Sequence, residues 1–314
     1  MKVLVLGAGG VGGYFGGRLI QAGADVAFLV RERRARQLAE NGLVIKSALG
    51  DATLAVRTLI ASDPGQPFDL VILTCKSYDL SSAIESIAPH MQAGAGPVMP
   101  LLNGMAHVDV LRDRFGKDRA LGGLCGIFAT LSPAGEVVQM EGLPPRLSFG
   151  RFKDQMERGV LEEPARAIEQ MMGAANFTSR RVEPIEQGLW DKWVLLTVMA
   201  AGTCLMRGSV GSIVAAEDGK SIMEELLAET TSVARAAGYP PSEQHLTAAR
   251  GILTAAGSNA TASMFRDIQN GGPTEGDHIV GDMLRRARGF GLQTPLLRVA
   301  NAHLQTYEAG RKNA

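Results

Sequence analysis

Gly7, Gly9 and Gly12 stand at G-x-G-x-x-G spacing, directly after the apolar run Lys2–Leu6 and directly before a segment of helical periodicity. Each glycine meets a demand of phosphate binding. The first allows a tight turn, the second lets the backbone approach a pyrophosphate, and the third lets helix and strand pack closely. A helix beginning there offers N–H groups and its positive dipole end to phosphates. Gly7, Ala8, Gly9, Gly10, Val11 and Gly12 are therefore candidates to hold a dinucleotide. The next strand, DVAFLV, ends at Arg31 rather than at the Asp or Glu that accepts bonds from an unphosphorylated ribose. An arginine at that tip suits a 2′-phosphate through a charge-assisted bond. Arg34 is the second candidate, so NADP, as NADPH, is the expected cofactor, and Glu32 leaves NAD as the alternative. Lys76 adds a cation at another strand's C-terminal end, where ligands of open α/β sheets sit.

A strand–helix alternation must position these residues. Strands are expected at Lys2–Leu6, Asp25–Val30, Leu43–Ile45, Leu54–Val56, Phe68–Thr74 and Pro97–Leu102. Helices are expected at Tyr14–Gly23, Arg31–Asn41 and Leu80–Met91, with Gly7–Gly13 as a loop. That order predicts a doubly wound α/β domain. Further strand candidates run to about Val182. Beyond it the periodicity is helical: Glu183–Leu205, Met223–Ala237, Ser242–Ala255, Thr274–Phe290 and Thr294–Tyr307, separated by breaks at Gly238–Pro241 and Gly291–Pro295. The expected domains are 1–182 and 183–314.

The bulk composition excludes several classes. With 314 residues the chain can bury two cores. Lys plus Arg and Asp plus Glu both number 32, so no global basic field exists to favour nucleic acid or an anionic membrane. Cys75, Cys125 and Cys204 are odd in number and widely spaced, and the five histidines form no ligand pair. A disulfide framework and a metal site are therefore not expected, and a reducing cytoplasm is the natural compartment. No uncharged apolar run reaches about 18 residues, so no membrane span is expected.

The sequence resembles the ketopantoate reductase (2-dehydropantoate 2-reductase) family over essentially its whole length. The likeness rests on GAGGVG at Gly7–Gly12, Arg31, LTCKSYD around Lys76, LLNGM around Asn103, LWDKW around Lys192, SMFRDIQNGGPTEGD around Ser263, Asp267 and Glu275, and GDMLRRARGFGLQTP. The resemblance implies an N-terminal Rossmann-type domain, an all-helical C-terminal domain, a cleft site between them, and NADPH-dependent reduction of a 2-oxo acid. That acid would be ketopantoate, which places the enzyme in pantothenate and coenzyme A biosynthesis. Carried over by position, Lys192 matches the catalytic lysine and proton donor. Glu275 matches the acid beside nicotinamide and substrate hydroxyl. Lys76 and Asn103 match residues at the nicotinamide end, Asn103 also facing substrate. Ser263 matches a carboxylate-binding residue, and Ala129 a backbone contact to the cofactor. A small 2-oxo acid is thus the expected partner, with room for a homodimer and no nucleic-acid or membrane partner. Taken alone, Lys192 reads as a surface lysine between Trp190 and Trp193, and Glu275 and Asp267 as helix-start acids.

The substrate side departs from the family. Where asparagines normally follow the lysine by one and two helical turns, this chain has Leu196 and Ala200, and where a third precedes a glycine it has Val210. Positions i, i+4 and i+8 share a helix face, so that face becomes mostly apolar, with Thr203 and Lys192 as its polar groups and Met199 nearby. Arg266 could clamp a carboxylate instead. Two alternatives follow: a reductase of a more apolar 2-oxo acid on the same fold, or a non-catalytic NADPH-binding sensor, against which Lys192 and Glu275 argue.

Overall fold

The computed structural model describes residues 1–140, 142 and 144–313. The chain divides into two units, one of Met1–Leu102 with His107–Ile185, the other of Asn103–Ala106 with Glu186–Ala314.

In the first unit, β1 (Lys2–Leu6), α1 (Gly10–Gln21), β2 (Asp25–Leu29), α2 (Glu32–Asn41), β3 (Leu43–Lys46), β4 (Ala52–Leu54), β5 (Arg57–Leu59), β6 (Leu70–Leu73), α3 (Leu80–Gln92) and β7 (Val98–Pro100) follow in order. Strands β5-β2-β1-β6-β7 form a wholly parallel sheet. Because successive strand residues point to opposite faces, both faces need apolar cover, and the chain supplies it. Val3, Val5, Val26, Phe28, Leu70 and Ile72 enter one core, while Leu4, Ala27, Leu29, Val71 and Leu73 enter the other. The order reverses between β1 and β6, the switch point where such sheets bind ligands.

The unit continues through α4 (Ala106–Phe115), β8 (Gly122–Gly126), β9 (Ala129–Leu131), β10 (Val137–Gln139), β11 (Arg146–Gly150), α5 (Lys153–Glu157), α6 (Glu162–Gly173) and β12 (Thr178–Arg181). Two small sheets, β4-β3-β10-β9 and β12-β11-β8, complete it. Several expectations are corrected. The glycine loop is shorter, because α1 begins at Gly10 and not Tyr14. The second strand of the first hairpin is Ala52–Leu54, not Leu54–Val56. Helices α4 and α6 occupy part of a stretch read as strands.

The second unit is helical: α7 (Glu186–Met206), α8 (Val210–Val214), α9 (Gly219–Ala236), α10 (Glu243–Leu253), α11 (Ser263–Gln269), α12 (Asp282–Gly289) and α13 (Pro295–Asn313). Apolar residues surround α7 on every side, and a helix of that kind must be enclosed. It packs against α8, α9, α10, α11 and α13. By length and composition α7 could cross a membrane, yet most of it is buried inside this unit. It starts after the expected Glu183, because Glu183–Ile185 is not helical. Thr274 and Glu275 likewise lie outside any helix, and a π-helical turn, Asp277–Gly281, follows and runs into α12.

Candidate active site

The C-terminal ends of β1, β2 and β6 carry the cofactor candidates of the first unit. Gly7 leaves β1 at φ +98°, a conformation that suits glycine, and its N–H donates to the Leu29 carbonyl at 3.0 Å. A Cβ on Gly12 would collide with the Gly7 carbonyl and the Thr74 hydroxyl, so the third glycine allows helix and strand to touch. A Cβ on Gly9 would meet nothing within 4 Å, so the space above it is open. Gly9 caps α1 without a side-chain bond, and the first turn holds no acid to occupy the helix terminus. Open space above uncapped N–H groups fits a pyrophosphate. The Ala129 carbonyl lies against Gly10, which brings β9 to the same loop. Thr74, which the sequence reading passed over, fixes the loop from the β6 side by donating to the Leu6 carbonyl at 2.8 Å. Its place two residues before Lys76 was the available signal. Lys76 is half-buried just beyond β6.

The arginines behind β2 separate into two roles. Arg34 donates to the Ala8 carbonyl at 2.8 Å, to Gly135 at 2.8 Å and to Gln37 at 2.6 Å. It braces the glycine loop and is committed there. Arg31 stays exposed at the strand tip and pairs with Asp79 at 3.1 Å.

In the second unit three elements converge on the turn Asp277–Gly281. Trp193, next to Lys192, donates its indole N–H to the Ile279 carbonyl at 3.1 Å and so pins α7 to the turn. Glu275 leads into the turn, and its carbonyl accepts from His278 N–H at 3.1 Å. The Asn103 loop also meets it: Gly104, at φ +87°, leaves so little room that a Cβ would lie 2.9 Å from the His278 ring. Lys192, Glu275 and Asn103 thus sit on elements that one turn holds together. Lys192 is half-buried and Glu275 buried. The strap before Glu275 is held at Thr274, whose N–H donates to Glu308 at 2.7 Å. Burial pushes the His278 imidazole below its usual range, against the pull of Glu275 and Asp282. Trp190 and Trp193, on either side of Lys192 in the sequence, have ring centroids 4.9 Å apart, and Trp190 stacks on Tyr239 at 5.7 Å.

The face of α7 beyond Lys192 offers little polarity. Leu196 and Met199 are half-buried, while Ala200 is packed in. Val210 is fully buried, its N–H on the Ala260 carbonyl. Thr203 is also fully buried; its hydroxyl donates to Met199 O at 2.7 Å and accepts from Ala262 N–H at 3.3 Å, so it is committed to tying α11 to α7. Ser263 opens α11 beside that tie and is exposed, as is Arg266, which donates to Thr261 at 3.4 Å. Among the described residues no group of three or more acidic, histidine or cysteine side chains could hold a metal ion.

The family described as "Ketopantoate reductase PanE/ApbA" matches residues 3–154, and its C-terminal counterpart matches residues 184–308. The uncharacterized oxidoreductase YkpB of Bacillus subtilis is 36% identical over 98% of this chain and 99% of its own. A PanE/ApbA family ketopantoate reductase from Ralstonia eutropha superposes with a TM-score of 0.85 at 25% identity, covering 99% of this chain and 100% of that one. A D-mandelate dehydrogenase, solved with NADH and anilino(oxo)acetate, shares the fold at a TM-score of 0.86 and 19% identity, covering 99% and 100%.

Proposed function

This chain belongs to the ketopantoate reductase PanE/ApbA family and is an oxidoreductase of that family, and from that premise we propose that it reduces a 2-oxo acid to a 2-hydroxy acid with NADPH. Ketopantoate, on the route to pantothenate, is the first substrate to test. In this proposal residues 1–182 bind the cofactor and residues 183–314 supply catalysis and substrate contacts. The observation that carries it is the convergence of the Lys192, Glu275 and Asn103 elements on the turn Asp277–Gly281.

A bound reduced nicotinamide supplies the hydride. The glycine loop and the α1 N-terminus hold the pyrophosphate, and Arg31 bonds the 2′-phosphate. Lys76 and Asn103 orient the nicotinamide end. Hydride arrival leaves negative charge on the former carbonyl oxygen. Lys192 Nζ, a half-buried cation, stabilises that charge and delivers the proton. Glu275 orients the lysine and the product hydroxyl. Ser263, with Arg266 in reserve, binds the carboxylate. Thiols at all three cysteines suit a reducing, cytoplasmic setting.

The test is oxidation of NADPH by the purified chain, first with ketopantoate and then with a panel of 2-oxo acids. Turnover with any of them supports the proposal. Tight NADPH binding without turnover on the whole panel would favour a sensor and defeat it. Leu196 and Met199, beside the committed Thr203, favour a second reading, in which the preferred acid has an apolar tail.

A further inference from the structure

We propose that Asp79 sets how strongly this site prefers a 2′-phosphate, by competing with that phosphate for Arg31; the inference rests on reading Arg31 as the phosphate's partner. Of the arginines named for that role, Arg34 is spent on the glycine loop. Arg31 carries the role alone, with its side chain 80% exposed at the tip of β2. Asp79 closes the short 3₁₀ turn Ser77–Asp79 after Lys76. Its N–H donates to the Lys76 carbonyl at 2.9 Å and its carbonyl accepts from Ser82 Oγ at 2.9 Å, so its backbone is fixed. It occupies the N-cap of α3, where an aspartate ordinarily turns back to bond the helix's first N–H groups. This carboxylate makes no capping bond and instead meets Arg31 Nη2 at 3.1 Å.

A carboxylate in that position biases the choice of cofactor. A phosphate monoester carries about −1.5 to −2 charge near neutral pH. On reaching Arg31 it must share one guanidinium with Asp79, which brings two anions to the same cation. In screened solvent that repulsion costs about three- to tenfold in affinity. A ribose 2′-hydroxyl carries no charge and meets no such repulsion. Asp79 therefore weakens NADPH binding and leaves NADH binding nearly unchanged.

The experiment is calorimetric titration of NADPH and NADH into the wild type, Asp79→Asn and Arg31→Ala. Asparagine keeps the size of the side chain and is itself a favoured N-cap, so α3 is preserved. Asp79→Asn should tighten NADPH about three- to tenfold, move NADH by less than about twofold, and show a smaller gain at high salt. Unchanged or weaker NADPH binding in Asp79→Asn overturns the proposal, because the carboxylate would then be inert or would be holding Arg31 ready for the phosphate. Arg31→Ala tests the premise separately. If it leaves the NADPH-to-NADH ratio as in the wild type, the role of Arg31 falls; if it narrows the ratio while Asp79→Asn changes nothing, only the role of Asp79 falls.

Discussion

Lys192 is the one cation within the sequence of α7, on a helix otherwise charged only at Glu186 and Asp191. In the proposed reaction its charge acts where negative charge develops, on the substrate oxygen and not on the cofactor. Lys192→Ala should therefore lower turnover by at least about 100-fold, the scale for loss of a general acid, with little change in NADPH affinity. Near-normal turnover would return Lys192 to the surface lysine that its sequence context alone suggests. On the proposed reading, substrate choice turns on Leu196. It offers no hydrogen bond to a substrate hydroxyl, at a cost of about 1–3 kcal/mol, and it gains about 0.8 kcal/mol per methylene from an alkyl tail. Comparing kcat/KM for ketopantoate and its analogue lacking the 4-hydroxyl should show a preference of about tenfold or more for the analogue. A strong preference for the hydroxylated acid would mean that polar contacts come from another side.

At the scale of elements, four strands of the parallel sheet were legible because burial on both faces writes itself as apolar runs such as Leu70–Leu73, whereas the edge strand β5, Arg57–Leu59, is short and partly exposed and was not. Helix α6 was not, although Ala165, Ile168 and Met172 bury one face at helical spacing. Its charged residues sit in a stretch flanked by real strands. The turn Asp277–Gly281 interrupts a pattern that reads as one continuous helix, because a π turn leaves the apolar spacing almost intact. The Arg31–Asp79 pair joins residues 48 apart and leaves no local trace. Another feature absent from local pattern is the ion-pair network behind β11 and β12. Glu183 accepts from Arg151 at 2.9 and 2.8 Å and from Arg181 at 2.9 and 2.8 Å. Burial raises the Glu183 carboxyl, but these bonds outweigh it and hold its pKa down to about 2. Folding lowers this pKa, so the stabilisation is complete above the unfolded value of about 4.3 and fades as pH falls towards 2. Glu183→Gln should cost about 2 kcal/mol near neutral pH. The Tm gap between wild type and variant should stay constant above pH 5 and narrow on acidification; a gap independent of pH would remove the network's role.

For the molecule as a whole, cofactor binding should appear as stability. A ligand at 100 times its Kd adds about 2.7 kcal/mol, which for a unit of this size raises Tm by roughly 5–10 °C. NADPH should raise Tm more than NADH at equal concentration, and equal shifts would count against a 2′-phosphate site. The indole pair beside Lys192 carries a consequence for how such experiments are read. The chain has two tryptophans, and both belong to α7. Intrinsic emission is then a spectroscopic label for the helical unit, while the parallel sheet is optically silent in that channel. Circular dichroism, by contrast, sums over both units. Denaturation followed by both signals therefore asks whether the halves melt together: coincident curves would mark one cooperative transition, and an emission curve displaced from the dichroism would resolve the helical unit as a separate one.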